Sequence, residues 1–586
     1  MKNKVKKRSI LVLFFTILCL AVFLTACAGK TGSDSVETGA GSGENIDSTY
    51  KMESWDLSTP NIEIMKASQP EKCPDRSLKR NDTIIIGTSD FSGVFNPIYC
   101  EMAFDAAVTE LIFDGLVEAD YNARPIPGMA DYKISDDGLT YTFTLREGLK
   151  FSDGTPVTTK DVEFTIYALA DPEYYGPYDV FSVGITGLMD YYEGNADAIS
   201  GIKILDEKKI EFTLDEPNAQ AIWLFRVGIL SKEYYGKNFK KGDLTSLEAL
   251  NDKPMGSGQY LLAEYNLGES IKLTAHEAYW KGTPKIKNLI FSMTPIGQEV
   301  ERVMTGEVDI DFPAPSEDTV KAAQDAGFMD IYLYPTNGYS YLGLNLELDK
   351  YQDNKVRQAL VYGLNRQAVV DTVFGPYADV INIPQSKLSW AYTEEGINLY
   401  EFDLDKAAVL LKEAGWEKDG SGNLKKDGET FKITFTTSDD NPFTEVLIPV
   451  MQEDYGKLGI ETKFETLDFM TMVDRVLAGE IDMWCLAWDL TPDPDDAGSY
   501  HTDGPQNLYN YSNPQVDALW EAGAKELDRE KRKKIYHEVY QLLNDDIPCI
   551  WLYQRSDMWV VNSRIKNFMV SPYRNWTLDM WRMEIQ

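Results

Sequence analysis

The sequence predicts a mixed α/β fold for most of this 586-residue chain. Short apolar runs that resemble buried strands alternate with amphipathic helical segments, a pattern typical of proteins with parallel or mixed sheets. Apolar residues make up 43% of the chain and charged residues 26%, the usual mixture of a folded protein with large cores. At roughly 150 residues per domain, the length favours three or four domains.

The first predicted elements follow one another closely. Residues 83–87 (TIIIG) form a continuous β-branched run, which indicates a strand buried on both faces. A helical pattern follows at residues 102–116. An Asp-Gly turn at residues 135–138 then leads into a strand of alternating faces at residues 139–146.

Three helices are predicted from their caps and their periodicity. After a second Asp-Gly turn, Thr158 or the next threonine is expected to cap a helix at residues 160–169. Residues 402–416 form the clearest helix, capped by Asp403 and ended by a glycine. Its predicted apolar face consists of Leu404, Ala407, Ala408, Leu411 and Ala414. Residues 528–543 form another helix, whose many Lys, Arg and Glu residues are expected on its solvent side.

Composition excludes some functions. Lys and Arg number 57 and Asp and Glu 93, which gives a net charge of −36. No nucleic-acid partner is expected, because affinity for phosphates comes from Lys and Arg. Only three histidines are present, so histidine-rich metal chemistry is not expected, and aromatic residues supply 12% of the chain.

The N-terminal segment predicts export and lipidation. A positively charged stretch at residues 2–8 precedes an apolar run at residues 10–24, which is shorter than the roughly 20 residues of a membrane span. Residues 24–27 (LTAC) resemble a bacterial lipobox, so we expect cleavage before Cys27 and lipidation of that cysteine. The alternative is an ordinary signal peptide with an incidental cysteine. Cleavage would remove five positive charges and change the net charge from −36 to −41.

A flexible tether is predicted after the lipidation site. Residues 27–50 are rich in Gly, Ser and acidic residues and cannot bury a core. The protein is therefore expected outside the cytoplasm, anchored to a bacterial membrane through Cys27. The cysteines of the body are Cys73, Cys100, Cys485 and Cys549. They are too few for a disulfide scaffold, and the sequence leaves open whether one or two bridges form.

Several motifs occur in a fixed order along the chain. The longest covers residues 113–167 (FDGLVEADYN to VEFTIY). It is followed by PMGSGQY at 254–260, YWKGTP at 279–284, GEVDI at 306–310, VRQAL at 356–360 and YSNP at 511–514. Together they resemble the extracellular solute-binding proteins of family 5, the oligopeptide-, dipeptide- and nickel-binding lipoproteins of ABC importers. The Asp-Gly pairs suit turns, and Arg357 is expected to be a surface or salt-bridging residue, so these motifs identify the fold rather than a site.

The resemblance implies a periplasmic-binding-protein-like type II fold, with two α/β lobes, a two-strand hinge and an extra domain. The implied parts are lobe I at 80–105, 190–335 and 553–586, the extra domain at 106–189, and lobe II at 336–552. Residues 332–341 and 550–553 would form the hinge. A ligand would be enclosed between the lobes when they close about this hinge.

Three clusters are candidates for ligand contact. The first is Phe95, Asn96 and Tyr99, directly after the first strand, where ligands meet α/β sheets. The second, beside the implied hinge, is Tyr339, Tyr341 and Asn345. The third, within residues 484–496 (WCLAWDLTPDPDD), is Trp488, Asp489 and Asp493.

The third cluster departs from the family pattern. In peptide-binding relatives it resembles W-x-x-D-x-x-D-P-D, and the first Asp binds the α-amino group of the ligand. Here Thr491 occupies that place and the segment is one residue shorter. Asp489 is our candidate to take over the amine, with the capping of a turn as the alternative. Trp488 either stacks on the ligand or belongs to the core.

Other functions lack their motifs. An EF-hand that started at Asp489 would have Pro494 at its glycine position and Tyr500 at its glutamate position, so calcium binding of this type fails. No histidine lies in the three clusters, which argues against nickel. The chain contains no G-x-S-x-G, H-E-x-x-H, P-loop or C-x-x-C motif, and no enzyme activity or cofactor is expected.

We therefore expect a lipid-anchored, monomeric solute-binding protein. It would capture an oligopeptide and deliver it to an ABC permease with its ATPase. Two alternatives keep the same fold. The ligand could be a non-peptide solute, such as a sugar oligomer or a metal complex, or the protein could act as a surface sensor without transport.

Overall fold

The computed structural model describes residues 62–89, 91–439 and 441–586. The predicted signal peptide, the predicted lipidation site Cys27 and the predicted tether lie outside the described residues. Among the helices within these ranges, none combines the length and the apolar character that a membrane span requires.

Strands are present along the whole described chain. In chain order they are β1 (Glu63–Met65), β2 (Thr83–Thr88), β3 (Val117–Ala119), β4 (Pro125–Pro127), β5 (Ala130–Ile134), β6 (Thr140–Leu145), β7 (Ile202–Ile204), β8 (Lys209–Thr213), β9 (Tyr260–Asn266), β10 (Ser270–Ala275), β11 (Asn288–Met293), β12 (Ile310–Asp311), β13 (Met329–Pro335), β14 (Gly338–Leu344), β15 (Ala378–Val380), β16 (Glu417–Lys418), β17 (Leu424–Lys426), β18 (Glu429–Thr430), β19 (Lys432–Ser438), β20 (Glu461–Leu467), β21 (Met483–Asp489), β22 (Cys549–Asn562), β23 (Ile565–Lys566) and β24 (Glu584–Ile585).

Helices alternate with these strands. They are α1 (Asp75–Leu78), α2 (Ala103–Ile112), α3 (Thr159–Leu169), α4 (Leu188–Glu193), α5 (Thr245–Glu248), α6 (Glu299–Met304), α7 (Glu317–Ala326), α8 (Asp349–Gln352), α9 (Asn354–Tyr362), α10 (Arg366–Phe374), α11 (Leu404–Glu413), α12 (Pro442–Leu458), α13 (Phe469–Leu477), α14 (Ala497–Tyr500), α15 (Pro514–Lys525) and α16 (Arg529–Asp546). Short 3₁₀ helices include Ala221–Arg226 and Trp576–Arg582. The alternation confirms the predicted mixed α/β class.

Two large hydrophobic cores organise these elements. The buried residues of the second core all lie between Tyr339 and Leu552, inside the range predicted for lobe II. The first core combines residues of the predicted lobe I with residues of the predicted extra domain, such as Tyr141 and Phe143. The bounds of the three parts stay a prediction.

One mixed sheet runs through both cores. Along its main path the strands are ordered β20-β19-β21-β14-β22-β12-β2-β11-β10-β9, with β1, β13 and β15 paired beside it. β2 lies between β11 and β12 and is parallel to both, so the TIIIG run is a strand, as predicted. Ile84 and Ile86 are buried, whereas Ile85 on the other face is only partly buried, so the predicted burial of both faces is incomplete. A separate four-stranded sheet has the order β5-β6-β8-β7.

Strand β22, which has 14 residues, is shared by the two halves of the main sheet. Its first part pairs with β14 of the second core, and its last part pairs with β13. The change of partner falls between Tyr553 and Ser556, just after the predicted hinge segment 550–553. Beside it, Thr336 in the link from β13 to β14 donates its N–H to the Arg555 carbonyl at 2.9 Å. The two crossings therefore run side by side.

Polar side chains cap the N-termini of three helices, as predicted for Thr158 and Asp403. Thr158 and Asp161 form a capping box on α3, in which the Thr158 N–H donates to the Asp161 carboxylate at 2.8 Å. Asp403 accepts a hydrogen bond from the Lys406 N–H at 2.9 Å, and Asp528 caps α16 in the same way. These bonds satisfy N–H groups that the first helical turn leaves without a partner.

The Asp-Gly turns also have the expected backbone. Gly138 has a φ of 73° and Gly154 a φ of 88°. This left-handed conformation is accessible to glycine at little cost. Both turns are therefore explained by local chemistry.

Three side-chain predictions are wrong. Ala408 is exposed, although Ala407 and Leu411 on the same helix are buried as predicted. Arg532 of α16 does not lie on the solvent side, because it is buried against an acidic partner. Arg357 is neither a surface nor a salt-bridging residue: it is buried and donates to backbone carbonyls, including that of Asp546 at the end of α16 at 2.7 Å.

The four cysteines of the described chain are free thiols: Cys73, Cys100, Cys485 and Cys549.

Candidate functional site

A cavity of about 380 Å³ lies between the two cores, and we call it the central cavity. Most of its lining comes from the side of the first core, including α2, the segment 113–118 and the 3₁₀ helix Ala221–Arg226. Thr491 and Pro492, in the loop after β21, line it from the side of the second core.

Four charged side chains line the central cavity: Glu110, Asp114, Glu118 and Arg226. Asp114 accepts hydrogen bonds from the Trp280 indole N–H at 2.8 Å and from the Tyr279 hydroxyl at 3.2 Å. Burial raises the pKa of Asp114 to about 6, although the nearby Lys281 opposes the shift. Glu110 accepts a hydrogen bond from the Asn575 side chain at 3.1 Å.

Glu118 belongs to a larger set of paired charges behind the cavity wall. This buried ion cluster consists of Glu118, Lys281, Arg574, Asp579 and Arg582. Arg574 lies 2.9 Å from the Glu118 carboxylate and 3.0 Å from the Asp579 carboxylate. Burial alone would raise the pKa of both carboxyls, but the neighbouring cations more than offset it and lower both pKa values. The acids of the cluster are therefore held in the ionised form.

Arg226 is half-buried and stands apart from that cluster. Its guanidinium lies over the Trp223 ring, 5.7 Å from the ring centre. Within the part of the chain that the structure describes, the Arg226 side chain forms no hydrogen bond and no ion pair. Burial lowers the pKa of Arg226, and the charge of Glu110 opposes that shift.

The loop of residues 489–496, which we call the acidic loop, carries the second-core side of the cavity. Asp493 is buried and forms a bidentate ion pair with Arg532, at 2.7 and 2.8 Å. Asp495 accepts from the Tyr536 hydroxyl at 3.1 Å, and burial, with the charge of Asp493, raises its pKa to about 6. Burial likewise raises the pKa of Asp496 to about 7.

Asp489 differs from the other acids of this loop. It is exposed, and its carboxylate forms no hydrogen bond or ion pair with any residue that the structure describes. The protein that surrounds it raises its pKa by desolvation, while Arg555 opposes the shift and Asp557 adds to it. It lies two residues before Thr491 but does not itself line the central cavity.

The first predicted cluster lies next to the cavity but does not line it. Phe95 and Asn96 have no exposed surface, and Tyr99 is buried. Their neighbours Pro97 and Cys100 reach the cavity instead. The predicted contact of these three residues with a ligand stays a prediction.

The second and third predicted clusters meet inside the second core. Tyr341 and Trp488 stack with ring centres 6.2 Å apart and an angle of 13° between their planes, and Tyr339 packs beside them. All three are buried, with Trp488 only 5% exposed. Asn345 lies at the other end of β14, where it donates to the Gly479 carbonyl at 3.0 Å. The aromatic residues of these two clusters are therefore part of the hydrophobic core.

Sequence reasoning missed most of the cavity wall. Asp114 and Glu118 belong to the motif at residues 113–167, which we used only to identify the fold. Trp223 and Arg226 carried one usable signal, an aromatic residue and a cation one helical turn apart. For a metal ion, no group of three or more His, Cys, Asp or Glu is suitably placed among the described residues.

Besides the shared strand, several polar contacts between described residues join the two cores, and three of them have defined distances. They are the Ala219 N–H to the Ala524 carbonyl at 2.8 Å, Lys525 to Glu216 at 2.6 Å, and Arg529 to the Asn122 carbonyl at 3.1 Å. The two cores are thus in direct contact through elements other than the sheet.

Known proteins resemble this chain along nearly its whole length. The model of the bacterial extracellular solute-binding proteins, family 5 Middle, matches residues 124–510. The oligopeptide-binding protein AppA of Bacillus subtilis is 26% identical over 586 residues, which cover 98% of this chain and 99% of the relative. Heme-binding protein A of Haemophilus influenzae is 26% identical over 516 residues, which cover 84% and 91%.

The fold is similar as well. The solved structure of the Bacillus subtilis AppA protein in complex with a nonapeptide matches with a TM-score of 0.69 at 25% identity. The match covers 86% of this chain and 99% of that one. With the architecture described above, it confirms the predicted type II fold of two lobes and a hinge.

Proposed function

This chain belongs to the bacterial extracellular solute-binding proteins of family 5, and we propose that it captures an oligopeptide in the central cavity and delivers it to the permease of an ABC importer. Proteins of this family bind solutes for transport and are not enzymes, in agreement with the absence of catalytic motifs from the sequence.

The proposal is supported by the position of the central cavity. The cavity lies between the two cores, and two adjacent crossings of the chain connect these cores. Small-molecule sites typically occupy about 300–1,000 Å³ and combine apolar walls with a few polar groups. A volume of about 380 Å³ is at the small end of that range. Rotation of the cores about the crossings would open the cavity to admit a peptide and then close it.

We propose Asp489 as the residue that binds the α-amino group of the peptide. Its carboxylate is exposed and unpaired within the described chain, whereas the carboxylate of Asp493 is occupied by Arg532. A charged hydrogen bond of this kind contributes about 1.5–3 kcal/mol. Asp493 would then act indirectly, because its ion pair fixes the shape of the loop.

The test of the proposed function is the identity of the bound solute. The full-length protein, purified under non-denaturing conditions, is expected to release a mixture of peptides that mass spectrometry identifies. A single sugar or metal complex in their place would contradict the proposal. Calorimetry with a recovered peptide should then show weaker binding to Asp489→Asn. Asp136→Asn, in an exposed turn, is the matched control and should bind as tightly as the wild type.

We propose further that Cys27 carries the lipid that holds the protein at the outer face of a bacterial membrane. The support is the sequence alone, with its charged start, apolar run and LTAC segment. Cys27→Ala is expected to move the protein from the membrane fraction to the soluble fraction. Cys19→Ala, inside the apolar run, should leave the protein with the membranes.

A second candidate is a heme or another metal complex as the ligand. The observation that favours it is the heme-binding relative, which has the same 26% identity as the oligopeptide-binding one, although over 516 rather than 586 residues. Titration of the purified protein with hemin would distinguish the two. A saturable change in the visible spectrum, competed by no peptide, would support the second candidate over the first.

A further inference from the structure

Among the four charged groups that line the central cavity, Arg226 alone has no hydrogen-bond partner within the described residues. Asp114 and Glu110 accept bonds from neutral donors, and Glu118 is paired with two cations. A guanidinium has five N–H donors in a planar fork, and the burial of such donors without a partner is costly. Arg226 therefore has unused capacity for an anion.

Two further donors lie in the same wall. The Tyr178 side chain and the Trp223 indole line the cavity with Arg226, and neither the hydroxyl nor the indole N–H is bonded to a described residue. Burial raises the pKa of Tyr178 to about 12, which keeps its hydroxyl protonated at neutral pH. The positive charge of Arg226 and the neutral donors of Tyr178 and Trp223 all suit a hydrogen-bond acceptor of the ligand.

We propose that Arg226 binds a carboxylate group of the captured ligand. This inference rests on the proposed function, since it names the group by which the ligand is oriented in the central cavity. A carboxylate is planar and matches the guanidinium fork with two parallel hydrogen bonds. The half-buried position of Arg226 strengthens such a pair, because less water competes for the donors.

The competing arrangement is an internal pair between Arg226 and Glu110. The two are close enough for the charge of Glu110 to act on the pKa of Arg226. They form no ion pair, however, and the Glu110 carboxylate already accepts bonds from Asn575 and Thr577. The donors of Arg226 thus remain available to a ligand.

The test uses a library of short random-sequence peptides in two forms, with a free C-terminal carboxylate and with a C-terminal amide. Full-length wild type, Arg226→Gln, Arg226→Lys and Arg76→Gln are each mixed with both forms, and retained peptides are counted by mass spectrometry. Arg76 is an exposed arginine that pairs with Glu307, so it controls for the loss of a positive charge. Thermal unfolding without peptide checks that each variant is folded.

The wild type and Arg76→Gln are expected to retain the free-acid form at least about tenfold better than the amide. Arg226→Gln should lose this preference, and Arg226→Lys, which keeps the charge but not the fork, should retain part of it. A second outcome also supports the proposal. The wild type could retain the amide and the free acid equally well but select peptides rich in Asp and Glu, a selection that Arg226→Gln would lack. The bound carboxylate would then come from a side chain of the peptide.

Two other results would overturn it. Equal retention of both forms without selection of acidic peptides, or an unchanged preference in folded Arg226→Gln, contradicts the role of Arg226 but leaves oligopeptide capture intact. Retention of neither form by the wild type contradicts oligopeptide capture, and the carboxylate inference with it.

Discussion

The buried ion cluster and the acidic loop border the same cavity but balance their charges differently. In the cluster, three cations neutralise Glu118 and Asp579, and both acids have lowered pKa values. In the loop, Arg532 pairs with Asp493 alone, and the pKa values of Asp495 and Asp496 rise to about 6 and about 7. The supply of cations thus decides whether a buried acid stays ionised. The cluster is therefore expected to keep its charges at all pH values near neutrality, whereas the charge of the loop is expected to change in that range.

The largest expected loss of stability comes from breaking the buried ion cluster. Arg574→Gln removes the cation that joins Glu118 to Asp579, both of which are buried. Removal of one partner from a buried pair typically costs about 3–5 kcal/mol, because a charge is left uncompensated. Denaturant unfolding should show a loss of this size. Arg76→Gln, which breaks an exposed pair, should unfold with an unchanged midpoint, and a similar midpoint for both variants would contradict the contrast.

A smaller loss is expected when the one ion pair of the acidic loop is broken. Asp493→Asn leaves Arg532 buried, but Tyr536 still accepts one of its hydrogen bonds, at 2.7 Å. We expect the free energy of unfolding to fall by about 2–3 kcal/mol. Asp325→Asn, on the exposed face of α7, is the matched control. A change no larger than that of the control would mean that the pair does not hold the loop.

The pH dependence of stability should separate the two regions further. The folded-state pKa values of Asp495 and Asp496 lie above the ordinary value of 3.8. At a pH between the unfolded-state and the folded-state pKa values, the folded protein still binds protons that the unfolded chain has released. The free energy of unfolding therefore falls as the pH rises from about 4 to 7. Asp114 shifts in the same direction, so the loop must be isolated by mutation.

The double variant Asp495→Asn/Asp496→Asn isolates the contribution of the acidic loop to the pH dependence of stability. Unfolding is measured for wild type and variant at pH 5.5 and pH 8. The wild type should lose about 1–3 kcal/mol more than the variant between these two pH values. Equal losses would show that the two acids do not titrate in this range.

The smallest effect is expected at the contact between Lys525 and Glu216, which joins the two cores at an exposed position. Both side chains are more than half exposed, and surface pairs of this kind are weak and screened by salt. Glu216→Gln should leave the unfolding midpoint unchanged in moderate salt. A clear loss of stability would indicate that this contact holds the cores together, in contrast to the buried pairs.

Local features of the fold could be predicted from the sequence. The TIIIG strand, the caps Thr158 and Asp403, and the glycine turns depend on neighbouring residues, and all are present. The resemblance to the family supplied the two lobes.

The pairing of charges could not be predicted, because it depends on residues distant in sequence. Arg532 is 39 positions from Asp493, and Arg574 is 456 positions from Glu118. For the same reason the composition of the cavity wall was missed. Trp223 and Arg226 lie outside the quoted motifs, and only the tertiary fold brings them to the same cavity as Thr491.

The shared strand has a consequence for how the protein unfolds and how it could be divided. β22 belongs to both halves of the main sheet, with hydrogen bonds to β14 near its start and to β13 near its end. A fragment that contains only one core would lack either this strand or its partners, and would expose a row of unpaired backbone groups. Neither half can be removed without opening the sheet of the other. They are expected to melt in a single transition, and cuts tolerated by the fold should lie in surface turns rather than at the boundary between the lobes.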